Sequence, residues 1–384
     1  MRSAQNPKTR EQQKPGVPDV LGIVSFRIFP TLMGGQKGVA FFYAALRHHL
    51  DVTLAVSDDN ENKSSPEAHP VLYPNRKIYL NLFRLKELQK IMKQNGTDVI
   101  IAEHSYTGWL AWLLRKRTGR PFIIHSHNIE SKRFRQMHKW WWRFYEMYEG
   151  WIHRKADHNF FISKEDEAYA REKFGVKQER STVITYGVLP PGVPTGKKEL
   201  RIKLGLDPEQ TIFLFNGTLD YKPNYDAVMA LIEKIDPLLS KSRNHYRIVI
   251  TGNRAPQALL DKMSASENIH YAGYVDDVNE WYQAADLFLN PVLNDTGVKT
   301  KLIESVANHC TAISTRSGAS GINVEACGSK LVVTDDHDWE KFVNLVPLTL
   351  QRSGEKTPEA FYSYYSWESL ARKAAGKILS LHRA

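Results

Sequence analysis

The side chains best placed to do chemistry in this 384-residue chain are concentrated in residues 284–318. That stretch reads as an apolar strand at 287–292 and a small-residue loop at 294–297. An amphipathic helix follows, with Leu302, Ile303 and Val306 on its apolar side and Glu304 near its first turns. A second strand and a Gly-bearing loop close the unit. A polar loop that opens a helix outside the carboxyl end of a parallel strand is an anion site, because unpaired N–H groups and the helix dipole converge on one spot. Gly34 and Gly35, following the first apolar run, let backbone amides approach a phosphate or sugar closely. Lys222 stands where another strand gives way to a helix, and Arg254 follows the next strand end, so both are candidate cations. His104, His125 and His127 end strands, the last two on one strand face. Two histidines at i and i+2 offer metal ligands, but no carboxylate or third ligand has matching spacing, so no metal is expected. Asp336 and Asp338 lie between the last strand and a helix, which suits an N-cap better than a metal site.

These residues need a frame of strands with helices between them, and the chain supplies one. Short apolar runs occur at 20–25, 52–56, 98–102, 121–125, 159–162 and 182–185, then at 211–215, 247–251, 269–272, 286–290, 311–314 and 330–334. Helical patterns separate them, the alternation of a parallel sheet. Residues 190–196, Pro-Pro-Gly-Val-Pro-Thr-Gly, interrupt the pattern as a linker. The expected parse is a disordered tail at 1–17, an N-terminal Rossmann-like domain at 18–190, a linker at 191–199 and a second Rossmann-like domain at 200–365. A last amphipathic helix at 366–384 carries Leu370, Ala374, Ile378 and Leu381 at helical spacing.

Several separate segments, together spanning about residues 20–380, resemble the retaining family-4 glycosyltransferases of GT-B fold, the group 1 type. The string at 284–318 resembles that family's donor-nucleotide segment, and residues 29–38 its N-terminal Gly-Gly loop. The resemblance implies an α/β protein of two doubly wound domains facing a central cleft, with the last helix crossing back to the N-terminal domain. It implies transfer of a sugar, of the hexosyl type, from a nucleoside-diphosphate sugar to a glycan, lipid-linked or small-molecule acceptor, with retention and with neither metal nor cofactor. His127, in the run Phe122-Ile-Ile-His-Ser-His-Asn-Ile-Glu130, matches the family histidine that touches the transferred sugar; His104, His125 and Asn128 are further sugar or acceptor contacts. The run from Phe213 to Asn224 resembles the diphosphate-gripping segment, with Gly217, Thr218 where the family commonly has Arg, and Lys222 as the cation. Arg254 is a second cation, and Tyr274 and Val275 lie in a segment like the loop beside the nucleobase. Thr296, Gly297, Val298, Lys299, Thr300 and Lys301 form the donor-binding helix start. Glu304 matches the ribose-binding glutamate, whereas Thr296 stands where the family often has a first glutamate.

Composition narrows the class. A hydrophobic fraction of 42% and an aromatic fraction of 11% fit a globular protein, and no apolar run approaches the ~20 residues of a membrane span. Only Cys310 and Cys327 occur, too few for a disulfide framework, so a cytoplasmic location is the expectation. Of the net charge of +10, residues 1–180 hold +11 and the remainder −1. No nucleic-acid-binding motif accompanies the basic half. The basicity is densest at 132–148, where Lys132, Arg133, Arg135, Lys139 and Arg143 surround Trp140, Trp141, Trp142, Phe144 and Tyr145. On one helix these aromatics cannot all face a core, which points to peripheral contact with an anionic membrane, at its inner face. The alternatives to a transferase are a non-catalytic GT-B carbohydrate-binding or scaffold subunit, and a nucleotide-sugar 2-epimerase.

Overall fold

The computed structural model describes residues 17–31, 34–60, 68–192, 196–242 and 245–383. All but one residue of the expected tail, and residues 193–195 of the expected linker, lie outside the described residues. The chain divides into two compact units, residues 1–187 with 367–384, and residues 188–366.

Unit 1 is built on a seven-stranded parallel sheet of order β3-β2-β1-β4-β5-β6-β7. Its strands are β1 (Asp19–Val24), β2 (Asp51–Ser57), β3 (Ala68–Leu72), β4 (Val99–Glu103), β5 (Phe122–Ser126), β6 (His158–Phe161) and β7 (Ser181–Val183). β1, β4, β5 and β6 are buried along their whole length, because helices cover both faces. β3 was not among the expected strands: its Ala-His-Pro-Val-Leu sequence lacks an apolar run, and Pro70 fits only because β3 is an edge. The last helix, Trp367–Arg383, packs in this unit against the helix Gly34–Leu46 and buries Trp367, Leu370, Ala374 and Ile378. A Cβ on Gly187 would lie 2.3 Å from the Trp367 ring, so a glycine there lets the indole seat.

Unit 2 carries a six-stranded parallel sheet of order β10-β9-β8-β11-β12-β13. The strands are β8 (Thr211–Asn216), β9 (Tyr246–Thr251), β10 (Ile269–Gly273), β11 (Leu287–Asn290), β12 (Thr311–Thr315) and β13 (Leu331–Thr334). The chain leaves β8 toward β9 on one side and returns to β11 on the other. The carboxyl ends of β8 and β11 therefore flank a crevice where the strand order reverses, which is where open α/β sheets bind ligands. In unit 1, β1 and β4 bear the same relation.

The basic aromatic stretch is two helices rather than one. Glu130–Gln136 ends before His138, whose φ is 52°, and Trp142–Lys155 begins after it. The break changes which aromatics are free. Trp141 packs on Phe134 with centroids 4.5 Å apart, and Trp142 lies under Arg135 and Arg143 at 5.1 and 5.3 Å. Trp140, Phe144 and Met147 are left exposed.

Candidate functional site

In unit 2 the strand-end residues converge on two glycines that only a bare backbone could accommodate. A Cβ on Gly252 would lie 1.8 Å from the Gly217 carbonyl oxygen, and Gly252 has φ 146°, a conformation L side chains rarely adopt. A Cβ on Gly217 would lie 2.6 Å from Asn224 Nδ2 and 3.1 Å from Lys301 Nζ. The loop after β8 thus runs directly over the amine of Lys301.

Lys301 is the second residue of the helix Thr300–Ala307, whose apolar face buries Leu302, Ile303 and Val306. That face fixes the helix against the sheet and turns Lys301 inward. Its Nζ donates to Asn224 Oδ1 at 2.6 Å and lies 4.3 Å from the centroid of the Phe215 ring. Asn224 is held in turn by donating Nδ2 to the Thr218 carbonyl at 2.9 Å. Burial, aided by the nearby Lys299 and opposed by Glu304, pushes the Lys301 ammonium down to about 7. Glu304 is half-buried one turn along the same helix. Three buried strand-end oxygens, Asn216 Oδ1, Thr251 Oγ1 and Asn290 Oδ1, have no hydrogen-bond partner among the described residues. They end β8, β9 and β11, beside the same crevice.

The other expected donor residues are arranged around this centre. In the loop before the helix, Thr296 donates its N–H and hydroxyl to Asn294 Oδ1 at 3.1 and 2.7 Å, and Gly297 adopts φ 67°. Lys299 folds back, its Nζ donating to the Thr296 and Gly297 carbonyls at 2.7 and 2.9 Å, and the Thr300 N–H reaches the Val298 carbonyl at 3.1 Å. Lys222 begins the helix Lys222–Ala230, exposed and paired with Asp226. Arg254, at φ 58°, is exposed and reaches Asp220, with Nε at 2.7 Å. Tyr274 is exposed and Val275 half-buried just past β10. Asp338 caps the helix Trp339–Asn344 by accepting from Lys341 N–H at 3.0 Å, and Asp336 accepts from Ser317 N–H at 2.9 Å.

In unit 1, Gly34 and Gly35 open the helix Gly34–Leu46, and open space surrounds the position a Gly35 Cβ would take. His125 and His127 sit at the end of β5, their rings 4.4 Å apart; His104 follows β4 with its ring 4.6 Å from His127. Asn128 is half-buried, and its carbonyl accepts from the Ser126 hydroxyl at 2.8 Å. The sequence reading found no carboxylate for these histidines. The fold supplies Glu103, because the parallel register sets it opposite His125. Its Oε2 lies 2.5 Å from His127 Nε2 and its Oε1 3.1 Å from His125 Nδ1. A separation of more than twenty residues left no local signal for this contact. Lys301 was expected among the donor residues, but its enclosure by Asn224 and Phe215 had no sequence signal either.

The arrangement can hold a phosphate-bearing ligand on backbone amides and a buried amine, with a carboxylate one helical turn away. Residues 34–190 match the model for Glycosyltransferase Family 4, and residues 210–350 that for Glycosyl transferases group 1. The O-antigen biosynthesis glycosyltransferase WbnH of Escherichia coli is 24% identical over 315 residues, 80% of each chain. The putative glycosyltransferase EpsD of Bacillus subtilis is 25% identical, over 61% of this chain and 63% of its own. Among solved structures, sucrose-phosphate synthase from Thermosynechococcus elongatus superposes with a TM-score of 0.73 at 17% identity, covering 95% of this chain and 99% of that one. Anabaena HepE in complex with UDP and glucose gives 0.69 at 14% identity, covering 93% and 98%. These likenesses show the GT-B fold. With the two family models together spanning both parallel-sheet units, the chain belongs to the family-4, group 1 glycosyltransferases and is a glycosyltransferase.

Proposed function

We propose that the protein transfers a sugar from a nucleoside-diphosphate sugar to a glycan or lipid-linked acceptor, with retention of anomeric configuration and with its own cations in place of a metal. The observation that carries this reading is the bare Gly217–Gly252 backbone lying over the enclosed amine of Lys301. Expulsion of a nucleoside diphosphate places negative charge on the β-phosphate, and a pre-placed cation with backbone N–H groups stabilises that charge without reorganisation. Lys301 and the N–H groups of residues 297–299 take that role; Lys222 and Arg254 join by releasing Asp226 and Asp220. Glu304 accepts from the ribose hydroxyls and sets the register of the donor. The sugar C1–O bond breaks, the acceptor oxygen bonds to C1 on the same face, and the departing phosphate takes the acceptor proton. His127 touches the transferred sugar, with His104, His125 and Asn128 beside it. HepE has been crystallised with UDP-glucose, and WbnH is named for O-antigen biosynthesis, which supports a nucleotide-sugar donor and a cell-envelope polysaccharide acceptor. Among the described residues no helix is long and apolar enough to cross a membrane.

The test is a panel of nucleotide sugars, followed by thermal shift and by release of nucleotide with and without acceptor. At least one donor should raise the melting temperature and be consumed when acceptor is present. Glu304→Ala should keep the apo melting temperature and lose donor affinity by roughly tenfold or more. Donor binding without turnover across acceptors would favour the non-catalytic subunit, and unchanged affinity in Glu304→Ala would remove the ribose role.

A further inference from the structure

Glu103 is fully buried at the end of β4, and among the described residues its only ion-pair partners are two histidines. Tyr43, fully buried on the helix Gly34–Leu46, donates its hydroxyl to Oε1 at 2.7 Å; His125 Nδ1 meets the same oxygen at 3.1 Å, and His127 Nε2 meets Oε2 at 2.5 Å. Burial pushes the carboxyl up, but the two histidines together outweigh it and hold Glu103 well below the usual carboxylate range. An ionised carboxylate only accepts, so all three partners must donate. His125 therefore carries its proton on Nδ1 and His127 on Nε2, which leaves His127 Nδ1 for a bound molecule. The groups packed around this centre are His104 from the end of β4, Phe42 from the helix Gly34–Leu46, Phe160 from β6, and Glu130, whose Oε1 lies 3.4 Å from His104 Nδ1. None of them competes for Glu103. A buried carboxylate is costly unless every partner is in place, so an arrangement with three converging donors is held in one geometry.

We propose that Glu103, braced by Tyr43 and shared with His125, is a positioning residue for sugar transfer: it locks His127 in the Nε2–H tautomer and presents Nδ1 as an acceptor to a hydroxyl of the bound sugar. The proposal rests on the reading of His127 as a sugar contact.

The experiment uses the full chain with histidine ring nitrogens labelled with ¹⁵N. In the wild type at neutral pH, His127 should show its proton on Nε2; a wild-type His127 protonated on Nδ1 overturns the proposal without any variant. Glu103→Gln keeps the volume and removes the charge. It should mix the two tautomers of His127 and lower kcat by about tenfold or more, the usual scale for a lost orienting partner. Affinity for UDP should stay within about twofold, since the nucleotide site is untouched. A folded Glu103→Gln protein with wild-type tautomer and kcat refutes the positioning role, even if His127→Ala is slow. If His127→Ala itself turns over like wild type, the sugar-contact reading falls and the positioning role falls with it. One equivalent of Zn²⁺ bound by the wild type, lost in Glu103→Gln and required for turnover, would make the cluster a metal centre and overturn the proposal.

Discussion

Replacing Lys301 with methionine should abolish the pH dependence of nucleotide binding between pH 7 and 9. Lys301 faces Asn224 Oδ1 at 2.6 Å and the Phe215 ring at 4.3 Å, with Lys299 and Glu304 as the charges acting on it. Burial holds the apo amine near 7, against an ordinary value of 10.5. A diphosphate favours the protonated amine, so binding must take up the missing proton. At pH 8 a group titrating at 7 is about nine-tenths neutral, and affinity falls by about tenfold for each further pH unit. From pH 7 to pH 9 the apparent affinity for UDP should therefore drop roughly fiftyfold. The ligand adds little, because its terminal phosphate ionises near 6 and is already charged in this range. Isothermal titration in buffers of different ionisation enthalpy should find about 0.9 proton taken up per UDP at pH 8. In Lys301→Met the affinity should be weaker at pH 7 and nearly flat to pH 9, with no proton uptake. A wild-type affinity that changes by less than about threefold over this range would refute the reasoning, because the amine would then be charged before the ligand arrives.

Gly252→Ala should cost about 3 kcal/mol and lower the unit-2 melting transition by roughly 6–12 °C in calorimetry, because its Cβ would meet the Gly217 carbonyl at 1.8 Å. A shift under about 2 °C would mean the two loops are not packed as described. At the surface of unit 1, Trp140 and Met147 are 82% and 73% exposed beside Lys139 and Arg143, and the proposed membrane contact would use them. The protein should co-sediment with anionic liposomes at low salt, and a Trp140→Ser/Phe144→Ser variant should lose at least half of that binding. Protein that remains in the supernatant, or a variant that binds as well as wild type, would leave this surface with no membrane role.

How much of the enzyme was legible in one dimension follows from the range of each interaction. The alternation of apolar runs with helical patterns made two parallel sheets readable, since a strand buried on both faces must be apolar along its length. The amphipathic helix at the end of the chain was readable for the same local reason, whereas the expected linker at 191–199 runs into the helix Lys197–Lys203. So were the glycine loops and the helix start at residues 296–301. The edge strand β3 escaped because an edge need not be apolar. The break at His138 escaped because helical spacing continues across it, and with it went the choice of exposed indoles: Trp140 and Phe144 are free, whereas Trp141 and Trp142 are packed. The chemistry of both units was decided in three dimensions. Glu103 meets His125 and His127 only because parallel register places β4 beside β5, and the cation against Gly217 is Lys301, whereas Lys222, five residues along the chain, pairs with Asp226. Sequence patterns record which face of an element is buried, because burial repeats every two or 3.6 residues. They carry no record of which strand ends meet, because that depends on register between segments far apart in the chain.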